Sequence, residues 1–113
     1  MLFNILRVET RCIASLHSIM IHPPYLIAGD TVGILSTARK TSREAMDNAC
    51  HIIENMGCRV KFAPNLLADH HQFAGTDAQR IEDMHSLLKD EEVKAILCAR
   101  GGYGTTRIVD QVD

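Results

Sequence analysis

The run Val93-Lys94-Ala95-Ile96-Leu97-Cys98-Ala99 passes directly into Arg100-Gly101-Gly102-Tyr103-Gly104-Thr105-Thr106-Arg107. The first half is a short apolar run, which predicts a strand. The second half holds three glycines in four residues, which predicts a tight exit from that strand. Apolar Ile108, Val109 and Val112 then predict the start of a helix. A strand that turns through glycines into a helix belongs to a parallel α/β sheet, and the rest of the sequence agrees.

Upstream, Ala28-Gly29-Asp30 is a turn signal, and Thr31-Val32-Gly33-Ile34-Leu35 is a β-branched apolar run that predicts a first, buried strand. Thr41-Ser42-Arg43-Glu44 fits a capping box with Thr41 as N-cap. Ala45, Ala49, Ile52, Ile53 and Met56 then share one face of a predicted helix. Gly57 is placed to end it in the left-handed conformation. Cys58 to Phe62 alternates as a second strand, which Pro64 stops. Thr76-Asp77-Ala78-Gln79 is a second capping box, and Ile81, Met84, Leu87 and Leu88 continue a second amphipathic helix. The order is strand, helix, strand, helix, strand, loop. Such alternation implies parallel pairing through crossovers. The fold class is α/β, a partial doubly wound parallel sheet of flavodoxin or Rossmann type, with three strands and intervening helices. The apolar third strand fits a sheet covered on both faces. Three strands leave such a sheet with open edges, so the sequence reads as the first part of a larger α/β domain, cut within or just after its third crossover unit.

The bulk numbers set limits. With 113 residues the chain is one domain at most, and 46% apolar content supports a packed core. A net charge of −2 without basic clusters, and 4% aromatic residues, argue against nucleic acid and anionic membranes as partners. The four cysteines, Cys12, Cys50, Cys58 and Cys98, are irregularly spaced and form no C-x-x-C pair. They read as buried free thiols, which fits a cytoplasmic location. Residues 1–22 differ in character from the rest. They have neither the unbroken apolar core of a signal peptide nor the length of a membrane span, and read as an extension ahead of the Pro23-Pro24 boundary.

Ligands of open parallel sheets bind beyond the carboxyl ends of the strands, where the loop from Arg100 to Thr105 lies. Glycines there let another group approach the backbone, and the unpaired N–H groups at the next helix start favour an anion or a developing oxyanion. The specific nucleotide signatures fail. G-x-G-x-x-G would need glycine at Arg107, and a phosphate-binding loop of the Gly-Lys-Ser/Thr type would need a lysine that is absent. A tight turn with no ligand stands beside the anion-site reading. Asp69-His70-His71 offers no obvious third metal ligand, so no metal is expected. His51 and His85 read as surface or boundary residues. Ser36 lacks the nucleophile-elbow context and reads as a capping hydroxyl. Arg100 braces the loop by a salt bridge or meets a substrate carboxylate. Tyr103 lines the pocket or packs under the loop. Cys98, inside a strand, reads as inert, and Met46, Met56 and Met84 as helix packing.

Three ordered stretches carry a resemblance. Pro23-Pro24-Tyr25-Leu26 with Gly29-Asp30-Thr31-Val32-Gly33-Ile34 resembles the start of the LD-carboxypeptidases of bacterial cell-wall recycling and the related microcin-immunity peptidases. His70-His71-Gln72-Phe73-Ala74-Gly75-Thr76-Asp77 with Gln79-Arg80, and Ala99-Arg100-Gly101-Gly102-Tyr103-Gly104 with Arg107, are similar to that family's next two motifs. The resemblance covers Pro23 to Asp113 and implies the N-terminal domain of a serine peptidase with a Ser-His-Glu triad. Such an enzyme needs no cofactor or metal and removes a terminal D-amino acid from L,D-linked muropeptides. The family's nucleophile follows the glycine loop in a Gly-Tyr-Ser-Asp type segment, and its Glu and His come from a C-terminal domain. Neither lies within residues 1–113, so the resemblance implies that nucleophile, Glu and His lie beyond Asp113. No catalytic residue is therefore expected in this chain, which alone is expected to be inactive. The resemblance implies an oxyanion-hole role for Gly101 or Gly102 and a place for Ser36 and Thr37 near the active-site rim; Tyr103, Gly104 and Arg100 join Ser36 as substrate-pocket candidates. The implied partners are a muropeptide, the missing C-terminal domain and, as in many members, a second copy in a homodimer. Two other readings remain: a non-catalytic module holding phosphate or nucleotide at Gly101–Thr105, and a flavodoxin-like interaction domain without a site.

Overall fold

The computed structural model describes residues 22–113; the extension lies almost wholly outside them. Three strands, β1 (Thr31–Leu35), β2 (Arg59–Phe62) and β3 (Val93–Cys98), alternate with two helices, α1 (Arg43–Asn55) and α2 (Asp77–Leu88). Both strand pairings are parallel and the spatial order is β2-β1-β3. β1 pairs Thr31–Ile34 with Arg59–Phe62 on one side and Val32–Leu35 with Ala95–Cys98 on the other. Alternate residues of β1 point to opposite faces, and each face meets one helix. Val32 and Ile34 pack with Met46 and Ile53 of α1. Leu35 packs with Leu87 of α2, flanked by Met84, Val93 and Ile96. Gly33 is required for the second contact, because a Cβ there would lie 2.9 Å from Leu87 Cδ1. The helices thus lie on opposite faces, which is the doubly wound arrangement predicted.

Local sequence explains most boundaries. Thr76 caps α2 with both halves of the capping box formed, Gln79 N–H to Thr76 Oγ1 at 3.2 Å and Thr76 N–H to Gln79 Oε1 at 2.9 Å. Gly57 follows α1 with φ +82°. Four expectations are corrected. The α1 N-cap is Ser42, whose hydroxyl accepts from Ala45 N–H at 3.2 Å, while Thr41 Oγ1 is buried without a partner among the described residues. The buried stripe of α1 is Met46, Ala49 and Ile53; Ile52 and Met56 are exposed. The stripe is therefore rotated from the predicted one, because Met46 reaches Val32 and Ile34 where Ala45 does not. Cys98 is exposed, in contrast to buried Cys58 and half-buried Cys50. Consecutive strand residues face opposite ways, so exposure of both Leu97 and Cys98 means that the far end of β3 is covered on neither face. The two-sided cover expected of the sheet holds at β1 only. Finally, the segment after the glycine loop forms two 3₁₀ turns, Tyr103–Arg107 and Val109–Gln111, in place of the predicted helix start. The second turn leads to an extended Val112 and to Asp113, whose N–H donates to Nε2 of His85 on α2 at 3.2 Å. That hydrogen bond takes the backbone of Asp113 to a side chain of α2, where a continuing helix would have turned it back to its own carbonyls.

Candidate active site

β1 and β3 are neighbours, and their flanking helices lie on opposite faces of the sheet. The carboxyl ends of these strands therefore flank a topological switch point, where open α/β sheets bind ligands. The loop after β1 supplies Ser36, Thr37 and Ala38, all buried. Ser36 Oγ donates to the Arg39 carbonyl at 2.5 Å, which closes that loop on itself. The turn 70–73 is sewn to it: Ala74 N–H donates to Ala38 O at 3.0 Å and Lys40 N–H to Gln72 O at 3.3 Å. His70 and Phe73 exchange two backbone hydrogen bonds of 3.0 Å around His71, whose φ is +57°.

The glycine loop rests on this platform. Gly104 is buried, and a Cβ there would lie 2.8 Å from Ala38 Cα and 2.9 Å from Phe73 Cδ1, so only glycine lets the turn sit so low. Gly102 adopts φ +139°, and a side chain at Gly101 would meet nothing within 4 Å. The Thr37 and Thr105 hydroxyls are 2.7 Å apart and join the two loops. Among the described residues, the N–H groups of Gly101 and Gly102 donate to nothing. Two adjacent free donors at the open edge of a switch point can hold an anion or a developing oxyanion.

A polar cluster behind the loop was not foreseen in the sequence. Arg107 forks onto Asp77, with Nε 3.2 Å from Oδ1 and 3.1 Å from Oδ2, and Nη2 2.9 Å from Oδ2. Arg80, fully buried, donates to Gly75 O at 2.7 Å and to Asp77 Oδ1 at 2.5 Å, and its guanidinium lies 4.8 Å from the Phe73 ring centre. Its Nε finds no acceptor among the described residues. The Arg107 hydrogen bonds hold the Asp77 carboxyl below the usual carboxylate range, and Asp77 in turn raises the Arg107 guanidinium. Asp83, nearly fully buried, accepts from the backbone and side-chain nitrogens of Asn65 at 2.9 Å each. Burial pushes its pKa up. The usable sequence signal was Arg80 at the position of α2 that continues the inward stripe of Met84 and Leu87. A cation there needs a partner from elsewhere in the chain.

The family of the chain follows from sequence comparison. Residues 32–113 match the profile of the LD-carboxypeptidase N-terminal domain. The chain belongs to the LD-carboxypeptidase family. Among curated members, it is 41% identical over 91 residues to a probable murein peptide carboxypeptidase of Bacillus subtilis, a match covering 80% of this chain and 28% of that protein. It is 26% identical over 82 residues to the murein tetrapeptide carboxypeptidase of Pseudomonas aeruginosa, covering 73% of this chain and 27% of that one. Among solved structures, an MccF-like protein from Bacillus anthracis superposes with TM-score 0.75 at 26% identity, over 80% of this chain and 29% of the other. The muramoyltetrapeptide carboxypeptidase from Oxalobacter formigenes shares the fold at TM-score 0.64 and 24% identity, over 74% of this chain and 28% of that one. The chain thus spans under a third of the length of these relatives.

Within this LD-carboxypeptidase domain the predicted site residues separate into two groups. Gly101, Gly102, Tyr103 and Arg100 are exposed together at the switch point. Ser36 and Gly104 are buried and form the floor. Tyr103 is 66% exposed and does not pack under the loop; Phe73 does. The salt bridge expected to brace the loop comes from Arg107, not Arg100, which has no ionic partner among the described residues. Asp69 pairs with Lys40 at 2.8 Å, and among the described residues no three His, Cys, Asp or Glu groups converge as metal ligands. A depression of about 840 Å³ runs along α2 from Asp77 past Ile81, His85 and Lys89, and no residue from Arg100 to Thr105 lines it. Asp113 is exposed beside His85 on this side, not at the switch point. No helix among the described residues is long and apolar enough to cross a membrane.

Proposed function

We propose that residues 23–113 form the N-terminal portion of a serine-type LD-carboxypeptidase and supply half of its oxyanion hole. The substrate would be an L,D-linked muropeptide that loses its terminal D-amino acid. The observation that carries the reading is the pair of unpartnered N–H groups at Gly101 and Gly102, at the switch point of a chain of this family. In acyl transfer the scissile carbonyl oxygen becomes an oxyanion when the nucleophile attacks, and donors already in place stabilise that charge without reorganising. The exposed Arg100 guanidinium stands beside these donors in sequence and is free to pair with the substrate's terminal carboxylate. Tyr103 forms the rim, and Ser36 and Gly104 support the loop from below. The nucleophile and its Glu/His partners would come from a segment and a C-terminal domain beyond Asp113, and the 113 residues alone would not hydrolyse the substrate. We place the activity in the cytoplasm, where free thiols such as Cys50, Cys58 and Cys98 persist. A homodimer is the assembly expected of the complete enzyme. The phosphate-cradle alternative relies on the same free N–H groups and has no observation of its own.

The test is a chimera that joins this chain, after Asp113, to the C-terminal remainder of the Bacillus subtilis relative. D-alanine release from a tetrapeptide ending in an L,D bond is the readout. The chimera should release it, and the isolated chain should not. A folded chimera that is inert, with nucleotide binding by the isolated chain, would overturn the reading.

A further inference from the structure

An oxyanion hole built on glycine carries a specific difficulty. Glycine has more backbone freedom than any other residue, yet the donors must be fixed before the charge develops. The hydrogen bond that joins Gly102 to the 3₁₀ turn is long, Thr105 N–H to Gly102 O at 3.4 Å, whereas the far end of the turn is held normally, Ile108 N–H to Thr105 O at 3.1 Å and Thr106 Oγ1 to Tyr103 O at 2.7 Å. The turn ends at Arg107, and Arg107 is gripped through both its Nε and Nη2 by the Asp77 carboxylate, 30 residues away in sequence. A forked pair of this type fixes direction as well as distance. Asp77 cannot swing with it, since its Oδ1 also holds buried Arg80, itself anchored on Gly75 O. Both guanidiniums lie over Phe73, at 4.8 and 5.7 Å, and Phe73 is the ring on which Gly104 rests.

We propose that Asp77 is a positioning residue for the glycine loop, acting through Arg107 and the shared Phe73 ring. The role rests on the peptidase reading for its purpose, but the mechanical link is testable apart from it. An acidic residue in the first turn of a helix also stabilises that helix by itself. That role alone would not require both carboxylate oxygens to be spent on guanidiniums from Arg80 and Arg107. The pair is nearly half exposed on the Arg107 side, at 45%, and 34% exposed at Asp77. Its contribution to global stability is therefore modest, and its effect falls on the loop.

The experiment compares amide hydrogen exchange in the chain with Asp77→Asn, Arg107→Lys and the double variant. Asp77→Asn keeps an acceptor for Arg80; Arg107→Lys leaves the start of α2 untouched and serves if Asp77→Asn weakens the whole fold. The reporters are Thr105 and Ile108, and the reference is Ala63, whose N–H donates to Ile34 O in the sheet. Each single variant should speed exchange at Thr105 and Ile108 by about fivefold, with Ala63 unchanged in Arg107→Lys and accelerated less than the reporters in Asp77→Asn, which also strips buried Arg80 of its carboxylate, and with the double variant no worse than Asp77→Asn alone. In the active chimera the same substitutions should lower kcat by roughly tenfold with KM nearly constant, less than the ~10²–10³ of losing a donor outright. Wild-type exchange at both reporters in the single variants, or Ala63 accelerating in step with them in Arg107→Lys, would overturn the proposal. An inert chimera would sink the peptidase reading and leave the exchange result to decide the latch.

Discussion

The hydroxyl oxygens of Thr37 and Thr105 lie 2.7 Å apart, 68 residues distant in sequence, and tie the exit of β1 to the turn after β3. The relation matters because the two strands share backbone hydrogen bonds only as far as Leu35 and Ala99. Beyond them no backbone hydrogen bond joins the two loops, which stay in contact through side chains and through the seat of Gly104 on Ala38. A side-chain hydrogen bond at that point fixes the spacing of the loops.

The bond has an asymmetric cost. Thr37 is 3% exposed, so Thr105→Val leaves a buried hydroxyl without its partner and should lower stability by about 1–3 kcal/mol. The double variant Thr37→Val/Thr105→Val removes both hydroxyls and keeps the shape, and should recover most of that loss. Urea unfolding of the single and double variants measures the difference.

Gly101 and Gly104 are three residues apart in one loop and should respond oppositely to alanine. At Gly104 the new methyl would lie 2.8 Å from a backbone atom, Ala38 Cα, which cannot rotate away. Gly104→Ala should destabilise by about 1–3 kcal/mol. At Gly101 the methyl meets nothing within 4 Å, and Gly101→Ala should stay within about 0.5 kcal/mol of the parent. Thermal melts of the two variants separate a glycine that packing requires from one that it does not.

In the core, Leu87 is 2% exposed and Ile52 is 64% exposed. Leu87→Ala removes the side chain seated over Gly33 and should cost about 2–5 kcal/mol. Ile52→Ala should be nearly neutral. The sequence pattern puts both residues on inward faces, so equal losses in denaturant unfolding would restore the predicted face of α1 against the observed one.

Legibility in the sequence followed how local each cause is. The strand Thr31–Leu35, the Thr76 cap and the Gly57 stop were readable because a β-branched run, a capping box and a left-handed glycine act within a few residues. The orientation of α1 was not, since two overlapping apolar stripes exist and only the reach of Met46 to Val32 and Ile34 selects one. The glycine loop was readable as a site by composition and position. What holds it was not: Asp77, Phe73 and Arg107 come from three segments, and no spacing brings a carboxylate in one helix to a guanidinium after a later strand. The exposed end of β3 was missed for a related reason. An apolar strand reports that it is covered in the finished domain, and the described residues include no element that covers it.

Stability below neutral pH should show two opposed steps from two aspartates. Asp77 is held below the ordinary value of 3.8 by Arg107 and, to a lesser extent, Arg80. Its folded form resists protonation more than its unfolded form, so its contribution is present above about 3.8 and is lost as pH falls through the lower folded value. Asp83 behaves in the reverse sense. Burial raises it above 3.8 despite the Asn65 hydrogen bonds. The folded chain therefore takes up a proton there first, and stability rises as pH falls through the folded value towards 3.8. Descending from pH 7, urea midpoints should first climb slightly and then drop. Asp83→Asn should abolish the climb, and Asp77→Asn should flatten the drop, only in part because Asp90 is also held low by Lys61. Both charges are neutralised in these variants, so a general effect of net charge would move the two limbs alike; separate losses of the climb and the drop tie each limb to its own aspartate.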